Sequence, residues 1–205
     1  MSQSFDSFFY QHIEEIFTTK KVIVDIGGGL RLFKTRGNSY AQSREWIKNF
    51  FNQVNYYILD PVTTYHPNIV GDIHFLPCKS NSIGAIICLS VLEHIKNPWR
   101  AMEEIYRVLK PKGSCLIYVP FIYVYHAESG YYADYWRFTE DAVRYLGRNF
   151  SILEVERIRG PLETWFNLMP FGRYAVMKFV ARIIDNIFAQ PRSKQTSGYQ
   201  VYLVK

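Results

Sequence analysis

The chain has 205 residues, 48% hydrophobic and 20% charged, which are values of one globular domain rather than a disordered or fibrous chain. Its net charge of +6 comes from scattered basic residues with no Lys/Arg run, so a solvated basic surface is expected and a nucleic-acid tract is not. Three cysteines (Cys78, Cys88 and Cys115) are too few and too widely spaced for a disulfide framework or a zinc site, and neither a signal-peptide pattern nor a bilayer-length apolar run is present, so a reducing, cytoplasmic location is expected.

Ser4 to Thr18 sets Phe5, Phe8, Phe9, His12, Ile13, Ile16 and Phe17 at helical spacing, which predicts an amphipathic helix over 1–18. Val22-Ile23-Val24-Asp25-Ile26 reads as a strand buried on both faces. Gly27-Gly28-Gly29 reads as a turn whose backbone can approach a ligand closely, and a helix after it would offer unpaired N–H groups. Lys34 to Gln42 is an exposed loop or a late helix start, and Arg44 to Gln53 is a helix. Tyr56 to Asp60 is the second strand, stopped by Pro61; Ile69 to Asp72 is the third and Ile83 to Leu89 the fourth.

Asn97 caps and Pro98 opens a helix that buries Ala101, Met102, Ile105, Val108 and Leu109, with Glu103 and Arg107 one turn apart. Lys110-Pro111-Lys112-Gly113 ends that helix. Ser114 to Val119 is the fifth strand, closed by Pro120. Thr139 caps a helix that begins with Glu140 and Asp141 and ends at Gly147, and Phe150 to Ile158 is the sixth strand. Residues 160–190 are an apolar, mainly helical insertion around Pro170 and Phe171. From Arg173 its stripe of Val176, Met177, Phe179, Val180, Ile183, Ile184, Ile187 and Phe188 must be buried against something. Pro191 to Ser197 reads as a flexible linker and Gly198 to Val204 as the last strand.

Strands alternating with helices place all strand ends on one side, with a ligand at the switch point. Asp25, Asp60 and Asp72 end the first three strands. An acid after the second strand suits a ribose diol, and a third acid suits an exocyclic adenine amine. Leu32 stands where a dinucleotide fingerprint needs its third glycine. One nucleoside without a pyrophosphate points to S-adenosylmethionine.

The ordered set Gly71-Asp72-Ile73-His74-Phe75-Leu76-Pro77, Leu89-Ser90-Val91-Leu92-Glu93-His94-Ile95, Asn97-Pro98 and Arg107-Val108-Leu109-Lys110-Pro111-Lys112-Gly113 resembles class I S-adenosylmethionine-dependent methyltransferases of the type 11 family. The resemblance implies a single α/β domain over 1–205 with a Rossmann-like seven-stranded sheet. That sheet would be mostly parallel, with an antiparallel last strand and helices on both faces. It implies that Asp25 and the backbone of Gly27, Gly28 and Gly29 hold the methionine part of the cofactor. Asp60, with Pro61 behind it, would bind the ribose; Asp72 and the Ile73 N–H would read the adenine. Leu89 and Ser90 would border the amino-acid end. Gly28, where the family often has cysteine, and Arg31, where many members have a third glycine, depart from the pattern. Arg31 would reach the cofactor carboxylate or the substrate.

Pro120-Phe121, His126 and Asp134-Tyr135-Trp136-Arg137-Phe138-Thr139 resemble a subgroup, many of whose members serve glycan or small-molecule biosynthesis. In it, the segment after the fifth strand lies over the active site, here as a lid over 121–138. His126 reads as a general base for a hydroxyl or as a loop-fixing histidine. His94, next to Glu93, reads as a structural or cofactor-side residue or as a base. Arg137 reads as a partner of Asp134 or as a clamp on an anionic substrate. His12, His66 and His74 show no metal-ligand spacing, and methyl transfer from a sulfonium needs no metal, so none is expected.

Cys78 follows the third strand rather than the fourth, and Ser90-Val91-Leu92 is not a Pro-Pro-aromatic element, so base methylation lacks sequence support. The expected function is methyl transfer to an oxygen or nitrogen of a small molecule or glycan precursor. The alternatives are RNA or protein methylation, or an inactive partner subunit. The 165–188 stripe would pack on the protein's own lid, on a second copy, or on an anionic membrane surface.

Overall fold

Fifteen residues at Phe5–Thr19 form helix α1, and its apolar face of Phe9, Ile13, Ile16 and Phe17 is buried. The computed structural model describes residues 5–34, 40–169, 175–188 and 193–205. Ser4, part of the Lys34–Gln42 loop, Pro170, Phe171, Arg173 and part of the Pro191–Ser197 linker lie outside the described residues. The strands are β1 (Val22–Ile26), β2 (Asn55–Asp60), β3 (Ile69–Val70), β4 (Ile83–Leu89), β5 (Leu109–Pro120), β6 (Ile152–Arg157) and β7 (Gly198–Val204). They make one sheet in the order β3-β2-β1-β4-β5-β7-β6. β1 to β5 pair in parallel, and β7 runs antiparallel to both β5 and β6. This is the mostly parallel seven-stranded sheet that the sequence predicts. The chain winds outward from β1 through β2 to β3, then returns to β4 on the other side, so β1 and β4 flank the switch point.

Side chains alternate between the two faces, as strand geometry requires. Ile86 and Cys88 of β4 and Cys115, Ile117 and Val119 of β5 join α2 (Pro98–Val108) and α3 (Glu140–Leu146) in one core. Ala85, Ile87, Leu89 and Leu116 face the other way, onto α1 and a helix at Gln42–Gln53. α2 begins at the expected cap, where the Asn97 side chain accepts from the Arg100 N–H, and Thr139 caps α3 by accepting from the Ala142 N–H.

Several local expectations are corrected. Among the described residues, no helix follows the glycine turn directly. The next one, Gln42–Gln53, is wound as a 3-10 helix behind Ala41, whose side chain offers no acceptor to the first turn. Lys110–Gly113 does not end α2 in a turn. α2 stops at Val108, and these residues lie inside β5 as a bulge: Ile83 pairs with Leu109 but Ala85 with Ser114, and Lys112 has φ +62°. Lys205 secures the bulge, its N–H donating to the Gly113 carbonyl while its own carbonyl accepts from Lys112. The Glu103–Arg107 pair does not form. Arg107 turns instead to buried Glu104 (2.7 Å), because Glu104 also receives the Leu76 N–H (2.9 Å) and ties α2 to the loop after β3.

Residues 160–190 contribute α4 (Pro161–Leu168) and α5 (Ala175–Phe188). Gly160 has no side chain to cap α4. Buried Asp185 of α5 does so, accepting from the N–H groups of Leu162 (3.0 Å) and Glu163 (2.8 Å). The α5 stripe is not buried within the chain: Val176, Phe179, Val180, Ile183 and Ile187 are exposed, Phe179 at 64%. Among the described residues, no helix is long and apolar enough to cross a membrane.

Candidate functional site at the carboxyl ends of the strands

The carboxyl ends of β1, β2 and β4 and the segment after β5 enclose a cavity of about 920 Å³. That is at the upper end of the roughly 300–1,000 Å³ typical of small-molecule sites.

Its floor is the glycine turn. Gly27 and Gly28 both take left-handed backbone angles (φ +76° and +62°). A Cβ on Gly29 would stand 2.7 Å from the Leu89 carbonyl oxygen, so only glycine lets β1 and β4 approach there. All three glycines line the cavity, but Asp25 does not. Its carboxylate is fully buried beneath the turn, where Oδ1 accepts from the Gly29 N–H (3.0 Å) and Oδ2 from the Leu30 N–H (3.1 Å) and the Tyr56 hydroxyl (2.6 Å). The expected cofactor contact of Asp25 is therefore corrected to a turn-shaping role. A side chain thus satisfies the donors of the turn.

Asp60, Pro61, Asp72, Ile73, Leu89 and Ser90 all line the cavity, as does Arg31. Asp60 is buried, and its Oδ1 accepts from the Val62 N–H (2.9 Å). Asp72 Oδ1 accepts from the backbone and ring nitrogens of His74 (2.8 and 2.6 Å), which fixes the short turn at Ile73–Phe75. Ser90 leaves β4 with φ +56° and donates its N–H to the Tyr118 carbonyl.

The opposite wall is the segment 121–138. The Glu93 carbonyl accepts from the N–H groups of Tyr135 and Trp136, and the Trp136 indole donates to the Ile95 carbonyl (2.8 Å), so the segment is pinned to the loop after β4. Tyr131 stacks on Tyr65 with ring centroids 5.4 Å apart, joining the segment to the loop after β2. Asp134 and Arg137 form a two-pronged pair (2.6 and 2.7 Å), and Asp134 also accepts the His126 N–H (2.9 Å). The Arg137 guanidinium holds the Asp134 carboxyl well below the usual carboxylate range. Arg137 spends its remaining donors on the carbonyls of Tyr123, Val124 and Trp136 and does not line the cavity. Arg137, expected among the catalytic residues or as the partner of Asp134, makes these contacts within the segment.

His94 and His126 come together, their rings 4.8 Å apart and nearly perpendicular. Each presents Nε2 to Glu93 Oε1, at 3.8 Å from His94 and 3.7 Å from His126. The Glu93 side chain is 1% exposed, and among the described residues neither carboxylate oxygen has a hydrogen-bond partner. That carboxylate, followed by the Val124 carbonyl and the Asp134 charge, raises the His126 pKa above the ordinary 6.5. Sequence reasoning missed Glu93 as a site residue. Its one signal was its place beside His94 at the end of β4.

Comparison with known proteins identifies the architecture. A family described as a methyltransferase domain matches residues 42–117. An uncharacterized methyltransferase of Mycobacteroides abscessus is 29% identical over 114 residues, 53% of this chain and 43% of that protein. The chain spans less than half the length of the curated relatives it matches, 22% and 43%. Among solved structures, an S-adenosylmethionine-dependent methyltransferase of Archaeoglobus fulgidus has a TM-score of 0.61 at 13% identity, covering 97% of this chain and 92% of that one. The methyltransferase bound to the Trm112 activator of Haloferax volcanii has a TM-score of 0.58 at 14% identity, covering 98% and 92%.

Proposed function

We propose that this chain is a class I S-adenosylmethionine-dependent methyltransferase and that it methylates an oxygen or nitrogen of a small molecule or glycan precursor. The observation that carries this reading is one cavity with two unlike halves. On one side stand a glycine turn and strand-end acids; on the other stand buried Glu93 and the half-buried His94 and His126 beside an aromatic segment.

The residues of the first half fit the cofactor. Asp60 offers a carboxylate that would accept from both hydroxyls of a ribose diol, and Asp72 and Ile73 stand at the adjacent strand end. Ile26, Ile73 and Leu89 supply apolar wall, and Arg31 a cation for a carboxylate. Bound S-adenosylmethionine supplies a methyl group on a sulfonium, with a thioether as leaving group.

The chain's own work is to align the acceptor and remove its proton. Tyr123, Tyr131, Tyr132 and Tyr135 line the acceptor side, and Asp134, Arg137 and Trp136 hold that segment in place. Glu93 and His126 are the groups there that can take or screen a proton. An aromatic-lined cavity of this size favours a small acceptor over an RNA or a folded protein. Incubation with methyl-labelled S-adenosylmethionine and a cell extract is expected to place label in the low-molecular-weight fraction. Label confined to RNA or protein would overturn the acceptor class, and no label in any fraction would favour the inactive-subunit reading.

We also propose that the exposed face of α5 is a contact surface, because five large apolar side chains on one helix face exceed what a monomer leaves in water. A second copy of this chain is the occupant expected. Sedimentation should show a dimer that Phe179→Asp splits into monomers. Flotation of the chain with anionic vesicles, lost on the same substitution, would assign the face to a membrane instead.

A further inference from the structure

We propose that Glu93, His94 and His126 together hold one divalent first-row metal ion on the acceptor side of the cavity. The inference rests on the methyl-transfer reading only for what the ion does, not for its binding.

Geometry carries the case. Each of the three residues offers one ligand atom, and the three atoms lie within 4.8 Å of one another. Two ligands about 2.1 Å from a common ion stand roughly 3.0–4.2 Å apart. The two Nε2–Oε1 distances of 3.7 and 3.8 Å fall in that range, and the two histidine ligand atoms, within 4.8 Å of each other, would close to it by a small turn of the rings. Both Nε2–Oε1 distances are too long for a hydrogen bond, so neither imidazole satisfies the carboxylate directly. Glu93 is left with both oxygens unpartnered in a buried position, and a carboxylate there needs a counter-charge.

The imidazoles are set for ligation. His94 Nδ1 lies 2.7 Å from the Ala133 carbonyl and His126 Nδ1 lies 3.1 Å from the Val124 carbonyl. A ring N–H donated to a carbonyl at Nδ1 leaves the Nε2 lone pair free, and this is how metal-binding histidines are usually held. The Asp134 carboxylate, accepting the His126 N–H, fixes the second ring further.

Two histidines and one carboxylate suit Zn²⁺, Mn²⁺, Fe²⁺ or Co²⁺ rather than Ca²⁺ or Mg²⁺, and three protein ligands leave coordination positions open. Those positions face the cavity, since all three residues line it. An acceptor carrying a hydroxyl could occupy one and become more acidic there. The expectation of no metal, drawn from the spacing of His12, His66 and His74, left out the pair that folding brings together.

The test is isothermal titration of the purified full chain with Zn²⁺ or Mn²⁺ alone, after chelator treatment. One ion per chain is expected, with micromolar or tighter binding of Zn²⁺ and a matching rise in Tm. Glu93→Gln and His126→Ala should each weaken binding tenfold or more. His66→Ala, a histidine outside the cavity, should leave it unchanged. Glu93→Gln keeps the side-chain shape and removes a buried charge, so its fold is retained; circular dichroism checks this. S-adenosylhomocysteine affinity is measured in the same samples. Its absence from the parent would strike the methyl-transfer reading without touching the metal site. No binding of either ion up to millimolar concentration, or binding that both cluster variants leave unchanged, would overturn the proposal.

Discussion

Glu93→Gln is expected to lower turnover about a hundredfold or more while S-adenosylhomocysteine affinity stays within about twofold. The size follows from position. Glu93 meets both His94 and His126, and its side chain is closed to solvent. Replacing it with an amide keeps the volume and removes the charge that organises the two imidazoles. Its carbonyl, which receives the Tyr135 and Trp136 N–H groups, is unaffected, so the 121–138 segment keeps its anchor. The glycine turn and Asp60 lie on the other half of the cavity, which is why cofactor affinity should survive. His126→Ala should lose turnover similarly. A separate measurement of Kd by calorimetry and of kcat with labelled cofactor checks both variants. If affinity and turnover fall in parallel, the cluster belongs to the structural frame rather than to acceptor chemistry.

Much of this architecture was legible because the strands carry their own signal. β4 and β7 are found over the predicted residues, since short apolar runs bounded by polar turns have few other uses. The caps at Asn97 and Thr139 were equally local. What could not be read depends on residues far apart in the chain. Lys110–Gly113 looks like a helix end, yet it becomes a strand bulge because Lys205 arrives beside it. Asp25, Asp60 and Asp72 look alike as strand-end acids. Only packing shows that Asp25 faces the buried side of the turn and the hydroxyl of Tyr56, whereas the other two border the cavity. The role of Arg137 was open between pairing and substrate binding. The carbonyls of Tyr123 and Val124, brought round by the loop, take the donors that Asp134 leaves, and no local pattern announces them. The burial of Glu93 likewise requires the segment around Tyr135 to fold back over it.

The largest effect on cofactor binding is expected at Asp60. Its carboxylate is buried at the end of β2, at the cavity wall, where water does not compete for a diol. Loss of hydrogen bonds to a charged acceptor in such a place is worth about 1.5–3 kcal/mol, or roughly 10- to 150-fold in affinity. Oδ1 also accepts the Val62 N–H, so Asp60→Ala disturbs the following turn as well, whereas Asp60→Asn keeps an acceptor for it. The decisive measurement is calorimetric titration of S-adenosylhomocysteine into the parent chain, Asp60→Asn and Asp60→Ala. Saturable one-to-one binding is predicted for the parent, weaker for Asn and weakest for Ala, with Glu93→Gln indistinguishable from the parent. A parent that does not bind, or binding that both Asp60 variants leave unchanged, would contradict the assignment of this cavity to S-adenosylmethionine.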